Sequence, residues 1–305
     1  MNKDFIQITD FSKEEIIETF DIATSLKNGD TEYASILNGK TVGCIFTKPS
    51  LRTRVSFETG IYELGGNSIY ITDKEIQLGV RESIYDAAKV LSRFLGMIMI
   101  RTFAHSDVEG LGEHADIPVI NGLTDLTHPC QVLGDMLTAR EHLGRVEDLK
   151  IAFLGDGNNV FNSWVNLACR LSMDLRLGTS PNTLPNKDII KKAEDAGISQ
   201  VRVTHDPIEA VSGADIIYTD VWASMGEKDK AAEKVELLSK FQVNDELVAR
   251  ADSNCIVMHC LPANRGQEIT DSVMDGKHSV VFDEAENRLH IQKAIMVQLM
   301  RNING

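Results

Sequence analysis

The chain has 305 residues, 43% of them hydrophobic, and 31 basic against 45 acidic side chains leave a net charge of −14. At roughly 150 residues per domain this length predicts two globular domains rather than a disordered chain. The acidity argues against general nucleic-acid binding, which needs surface cations to displace phosphate counterions, although a local cationic pocket remains allowed.

Short β-branched runs alternate with helical periodicity. Ser12 with Glu15 reads as a capping box that starts a helix near 13–27. Strands are expected at 41–46, 67–71, 97–102 and 118–123, then at 150–155, 174–178, 200–204, 215–220, 255–260 and 279–282. Ile84, Ala87, Val90, Leu91 and Phe94 mark one apolar helix face, and Val132, Leu133, Met136 and Leu137 mark another within 129–143. A last helix is expected over 284–300. This pattern predicts an α/β protein of two Rossmann-like domains, each a parallel sheet flanked by helices, linked by two helices. The domains are placed at 1–143, with the segment 286–305 packing back on it, and at 144–285. No apolar run approaches the ~20 residues of a membrane span, and Met1-Asn2-Lys3-Asp4 lacks a signal-peptide profile. Cys44, Cys130, Cys169, Cys255 and Cys260 contain no C-x-x-C pair, which argues against a disulfide framework and a structural zinc. A cytoplasmic, reduced protein with no metal and no membrane partner is expected.

In open parallel sheets the ligand lies beyond the carboxyl ends of the strands, so the residues after each strand carry the functional reading. Ser50-Leu51-Arg52-Thr53 follows the first strand and opens a helix, where free N–H groups and the positive dipole end favour an anion. The bland alternative is a serine cap with two solvated arginines. Arg101 ends the third strand. His128-Pro129-Cys130-Gln131 follows the fourth, where His128 is either a cap or a carbonyl-polarising donor. Gly155-Asp156-Gly157-Asn158-Asn159-Val160 half-matches a dinucleotide fingerprint. Val160 stands where the third glycine belongs, and the next strand ends without the acid that would hold a ribose, so no nicotinamide cofactor is expected. Asn159 can instead point an amide at a small polar ligand. Asp220, ahead of Trp222-Ala223-Ser224-Met225-Gly226, suits a substrate ammonium. His259 and Cys260 are adjacent on a strand and point to opposite faces, which argues against a Cys–His nucleophile pair. Arg288 reads as an anion clamp or as a solvated helix charge.

Taken in order, Ser50-Leu51-Arg52-Thr53-Arg54, His128-Pro129-Cys130-Gln131, Gly155-Asp156-Gly157-Asn158-Asn159, Asp220-Val221-Trp222-Ala223-Ser224-Met225-Gly226, His259-Cys260-Leu261-Pro262 and Ala285-Glu286-Asn287-Arg288 resemble the aspartate/ornithine carbamoyltransferase family, in its ornithine branch. The resemblance runs from about residue 5 to residue 300. It implies that Ser50, Leu51, Arg52 and Thr53 hold the phosphate of carbamoyl phosphate, Leu51 through its backbone N–H. Arg101, His128 and Gln131 would contact the carbamoyl group, with Cys260, Leu261 and Arg288 completing that site from the second domain. Gln77 matches a loop that reaches into a neighbouring subunit's site. Asn159, Asp220, Ser224 and Met225 would bind ornithine, and Arg101, His128, Cys260 and Arg288 would be the catalytic set. The resemblance also implies a homotrimer or a higher assembly of trimers, and no cofactor; two domains suggest closure over bound substrates.

The implied reaction moves the carbamoyl group to the δ-amine of L-ornithine, giving citrulline and phosphate in arginine metabolism. One departure stands out. The family's phosphate motif is usually Ser-Thr-Arg-Thr, and here Leu51 replaces the first threonine, which removes one hydroxyl donor. Gly134, where alanine is commoner, is a helix-interior change. Rival acceptors are aspartate, putrescine and N-acylated ornithine. The acid at Asp220 speaks against aspartate, and Ser224-Met225-Gly226 speaks against putrescine. A nicotinamide dehydrogenase and a catalytically silent subunit are rivals of other classes. Retention of Arg52, Arg101, His128, Asp220 and Arg288 argues against the silent subunit.

Overall fold

A computed structural model describes residues 2–223 and 231–304. The chain forms two compact units, one of residues 1–134 with 286–305 and one of residues 135–285.

The first unit is a four-stranded parallel sheet in the order β2-β1-β3-β4, built from β1 (Thr41–Phe46), β2 (Asn67–Thr72), β3 (Met97–Arg101) and β4 (Val119–Leu123). Its helices are α1 (Lys13–Lys27), α2 (Leu51–Glu63), the short α3 (Asp73–Ile76), α4 (Ile84–Phe94) and α5 (His105–His114). The first helix starts as its capping box predicts, with Ser12 accepting from the Glu15 N–H and Glu15 accepting from the Ser12 N–H. Both β3 and β4 are buried along their whole length, as expected of parallel strands covered on two faces. Ile45, Ile98 and Ile100 of the sheet pack with Ala88, Val108 and Leu111 of the covering helices.

The second unit is a five-stranded parallel sheet in the order β7-β6-β5-β8-β9. Its strands are β5 (Leu149–Leu154), β6 (Met173–Gly178), β7 (Gln200–Thr204), β8 (Ile216–Thr219) and β9 (Ile256–His259). After α6 (Pro129–Leu143), its helices are α7 (Asn159–Ala168), α8 (Lys187–Ala196), α9 (Pro207–Val211), α10 (Ala231–Leu238), α11 (Asp245–Val248) and α12 (Asp271–Met274). Leu154, Ile217 and Val257 form its core with Ala210, Trp222 and Phe241. The chain crosses between the units within α6, after Gly134, and within α13 (Val281–Asn304), before Glu286. The sequence reading divides the chain at the end of α6, whereas the compact units divide inside that helix. Cys130 in its first turn bonds the carbonyl of Asn121 in β4, while Asp135 bonds Glu284 in the second unit.

The expected tenth strand at 279–282 does not form. Ser279 makes a single bridge to Val257, and from Val281 the chain is helical. The β-branched Val280-Val281 pair suggested a strand, but Asp283 and Glu284 fall in the first turn of α13, where carboxylates favour the positive end of a helix dipole. Among the described residues, no helix is long and apolar enough to cross a membrane.

Candidate active site

In each unit the chain order reverses at one crevice, between β1 and β3 in the first and between β5 and β8 in the second. Such switch points collect ligands because loops leave the adjacent strand ends in opposite directions.

In the first unit, Ser50 caps α2 with its hydroxyl accepting the Thr53 N–H at 3.2 Å. The capping reading of Ser50 is therefore met, and the first amides of the helix still lack i−4 partners. Leu51 turns its side chain outward, 74% exposed, and Arg52 is half-buried. Thr53 is buried, and two guanidinium groups converge on its hydroxyl: Arg101 Nη1 at 3.3 Å and Arg288 Nη2 at 3.2 Å. Arg101 ends β3 in register with Phe46 at the end of β1, which brings the two loops together. Arg288 also donates to Gln131 Oε1 at 2.5 Å. Arg288 was counted with the second domain in the reading of the site, although the domain bounds put 286–305 with the first. It belongs to the first unit, because the chain has crossed back two residues earlier along α13.

His128 precedes Pro129 at the start of α6 and is buried. Burial, followed by the charges of Arg288, Arg101 and Lys48, holds its imidazole well below the ordinary range, so it is neutral at physiological pH. A neutral imidazole offers one donor and one acceptor within reach of the fields of Arg288, Arg101 and Lys48. Lys48 escaped the sequence reading. It is buried, pairs with Asp125 at 3.3 Å and lies 5.0 Å from the Phe103 ring centre. Its position two residues past β1 was the available signal. Gln77 stands apart on an exposed turn, where it ends α3 with φ +41° and bonds within its own loop.

In the second unit, Asp220 follows β8 and Cys260 follows β9, one step past the register pair Thr219–His259. Asp220 is buried. Its Oδ2 accepts from Asn158 Nδ2 at 2.8 Å, and its Oδ1 accepts from the Val221 N–H at 2.7 Å and the Cys260 thiol at 2.9 Å. A carboxylate has about four lone-pair sites, and the described residues set three donors on this one. Asn158 also caps α7 through the N–H groups of Val160 and Phe161. The sequence reading singled out Asn159, whereas the amide that touches Asp220 is its neighbour. Asn159 is the first residue of α7 and is half-buried.

Burial first, then the charge of Asp220, pushes the Cys260 thiol well above its ordinary range. It is a protonated donor, not a thiolate. His259 Nδ1 accepts the Leu261 N–H at 2.9 Å, which places its proton on Nε2, 3.1 Å from Glu268 Oε1. Asp220, His259 and Cys260 carry an oxygen, a nitrogen and a sulfur within 4.8 Å of one another. Each of the three is engaged by a protein partner, and no Cys–His nucleophile pair results. Leu261 has φ +54° and precedes a cis peptide bond to Pro262. Ser224 and Met225 lie outside the described residues. Gly157, in the half-fingerprint, passes so close to Pro185 that a Cβ would come within 2.5 Å of that residue's nitrogen.

Residues 3–141 match the model of the aspartate/ornithine carbamoyltransferase carbamoyl-P binding domain, and residues 147–299 match that of the Asp/Orn binding domain. The chain is 49% identical over 303 residues to an ornithine carbamoyltransferase of Carboxydothermus hydrogenoformans, covering 98% of this chain and 97% of that one. Among solved structures it is similar to the ornithine carbamoyltransferase of Pyrococcus furiosus, with TM-score 0.91 and 42% identity over 97% of this chain and 96% of that one. The anabolic ornithine carbamoyltransferase of Campylobacter jejuni aligns with TM-score 0.93 and 34% identity over 99% and 100% of the two chains.

Proposed function

Because the chain belongs to the aspartate/ornithine carbamoyltransferase family, we propose that it transfers the carbamoyl group of carbamoyl phosphate to the δ-amine of L-ornithine, giving L-citrulline and phosphate. The observation that carries the choice of acceptor is the buried Asp220 carboxylate beside a protonated thiol. An aspartate acceptor would bring a second carboxylate to that carboxylate, whereas ornithine brings amines.

In this reading the first unit binds carbamoyl phosphate. The amides of Leu51 and Arg52 and the hydroxyls of Ser50 and Thr53 hold the phosphate at the start of α2, and Arg52, Arg101 and Arg288 balance its charge. His128 and Gln131 orient the carbamoyl group, and Arg101 bridges it to the phosphate. Cys260 and Leu261 complete the contacts. Asn159, Asp220, Ser224 and Met225 bind ornithine. The protein is a cytoplasmic homotrimer in which Gln77 serves the site of a neighbouring subunit.

The attacking species is the neutral δ-amine. Its lone pair forms the bond to the carbamoyl carbon, the bond from that carbon to the phosphate oxygen breaks, and the departing phosphate takes the amine proton. Neutral His128 with Arg101 and Thr53 donates to the oxyanion of the tetrahedral intermediate, where fixed donors in a dry site lower the barrier most. No covalent enzyme intermediate is needed, which accords with a Cys260 that stays protonated.

The test offers ornithine, putrescine, N-acetylornithine and aspartate side by side with carbamoyl phosphate. Citrulline forming at least a hundredfold faster than any other product is expected. A preference for putrescine or N-acetylornithine would overturn the acceptor assignment, and no turnover with any acceptor would overturn the transferase reading.

A further inference from the structure

The end of β9 is held in an unusual way. The Val257 N–H, on the outer edge of this strand, donates to the His278 carbonyl at 2.7 Å, and the Val257 carbonyl accepts from Val280 at 3.0 Å. Two residues on, the His259 N–H points to the same edge. By then the neighbouring segment has turned into α13 and offers no backbone carbonyl. The side chain of Glu284 takes its place, with Oε2 accepting the His259 N–H at 2.8 Å. The Tyr218 hydroxyl donates to Glu284 Oε1 at 3.4 Å, and Asp135 hydrogen-bonds the same carboxyl. Glu284 and Asp135 are both buried. Two carboxyl groups can hydrogen-bond each other only with a proton between them. His259 leads directly into Cys260, whose thiol rests on Asp220.

We propose that Glu284, through a proton shared with Asp135, is a positioning residue for carbamoylation: it anchors the strand end before Cys260 and so sets how the thiol and Asp220 meet the amine. This rests on the carbamoyltransferase reading and adds residues that touch neither substrate. The groups facing the pair are Tyr218, His259, Cys260 and Asp220. The shared proton leaves one negative charge on the Glu284–Asp135 pair. A second charge would crowd the two acids and loosen the anchor. Burial and the neighbouring Asp135 both push the Glu284 carboxyl up, in the direction that retains the proton.

Two measurements test this on the full-length protein. The first is steady-state kinetics of Glu284→Ala and Glu284→Gln. Glutamine keeps an oxygen for the His259 N–H and can donate to Asp135, so it is expected to hold the ornithine KM within about threefold of wild type. Alanine is expected to raise that KM at least tenfold while the carbamoyl phosphate KM moves less than threefold. The second is the alkylation rate of Cys260 by iodoacetamide at pH 8, located by peptide mass. It needs no turnover and therefore stands if the acceptor reading fails. With one shared proton, Glu284→Gln and Asp135→Asn each keep a single negative charge and should alkylate within twofold of wild type. The double variant removes that charge and should alkylate at least fivefold faster. A folded Glu284→Ala protein with wild-type ornithine KM would overturn the anchoring role. If the alanine variant does not fold, a tenfold rise in ornithine KM for Glu284→Gln would overturn it instead. Single variants that each alkylate as fast as the double would overturn the shared proton.

Discussion

The proposed reading rests the acceptor chemistry on Asp220, so its isosteric replacement is the sharpest residue-level test. Asp220→Asn keeps the shape and loses the charge. Removing one partner of a buried charge pair costs about 2–5 kcal/mol, so kcat/KM for ornithine should fall at least about thirtyfold, with the carbamoyl phosphate KM within threefold of wild type; equal losses for both substrates would refute the assignment. Leu51 makes the opposite prediction. Its exposed side chain sits where a threonine would add a hydroxyl at the start of α2. One neutral hydrogen bond nets about 0.5–1.5 kcal/mol, so Leu51→Thr should tighten carbamoyl phosphate by about two- to tenfold. His128 ties the site to pH. Its folded value lies below the ordinary 6.5 of an exposed histidine, so the unfolded chain takes up a proton that the folded site refuses. The penalty is absent above about pH 6.5 and grows as pH falls toward the depressed folded value. Denaturant titrations from pH 7.5 to 5 should show His128→Asn with a shallower acid-side loss, by up to about 1.4 kcal/mol per pH unit. The buried His290 is shifted the same way and remains in that variant, so the slope is reduced rather than abolished. At this scale the sequence pointed to the strand ends but not to the pairings across them. Asn158 bonds Asp220 while Asn159 was singled out, and Lys48 acts through space on His128 from a loop that reads as ordinary.

Elements were the most legible level, because a capping box, an apolar face or a β-branched run is a local signal. Helices α1, α4 and α6 begin and end where periodicity and capping chemistry place them, and the nine strands among the described residues fall within a residue or two of the β-branched runs. The tenth run failed because a four-residue apolar stretch has no periodicity of its own, and the carboxylates after it favoured a helix start. The division inside α6 was illegible for a related reason: a continuous helix carries no local mark of where its contacts change from one unit to the other. Gly134 sits at that place. A Cβ there would meet Arg288 Cδ and Ile291 Cγ2 at 3.5 Å, ordinary van der Waals contact. Glycine in a helix interior costs about 0.5–1 kcal/mol relative to alanine. Gly134→Ala should therefore stabilise the protein by about that amount, read as a higher denaturation midpoint at unchanged m-value. A lower midpoint would mean that the cluster around Arg288 has no room for a methyl group.

At the scale of the whole molecule, the first unit leaves large apolar side chains in water. Tyr62 on α2 is 80% exposed and Phe94 on α4 is 74% exposed, with Val55 and Tyr85 also exposed on the same two helices. Large apolar side chains left in water on two helices are what an interface with another protein would cover. In the proposed homotrimer the partner is another copy, and the same association would deliver Gln77 to a neighbour's phosphate site. Assembly and carbamoyl phosphate affinity are then linked. Sedimentation equilibrium should give three times the 33.7 kDa chain mass for the wild type. Phe94→Glu, which puts a charge in place of an exposed apolar ring, should give the single-chain mass and raise the carbamoyl phosphate KM at least tenfold, because the lone chain loses the residue its neighbour would supply. Gln77→Ala should raise that KM without dissociating the assembly, which separates the contact from the association that delivers it. A wild-type protein that sediments as one chain while turning over at full rate would remove both the trimer and the shared site. A dissociated Phe94→Glu protein with an unaltered KM would leave the trimer standing and remove only the sharing.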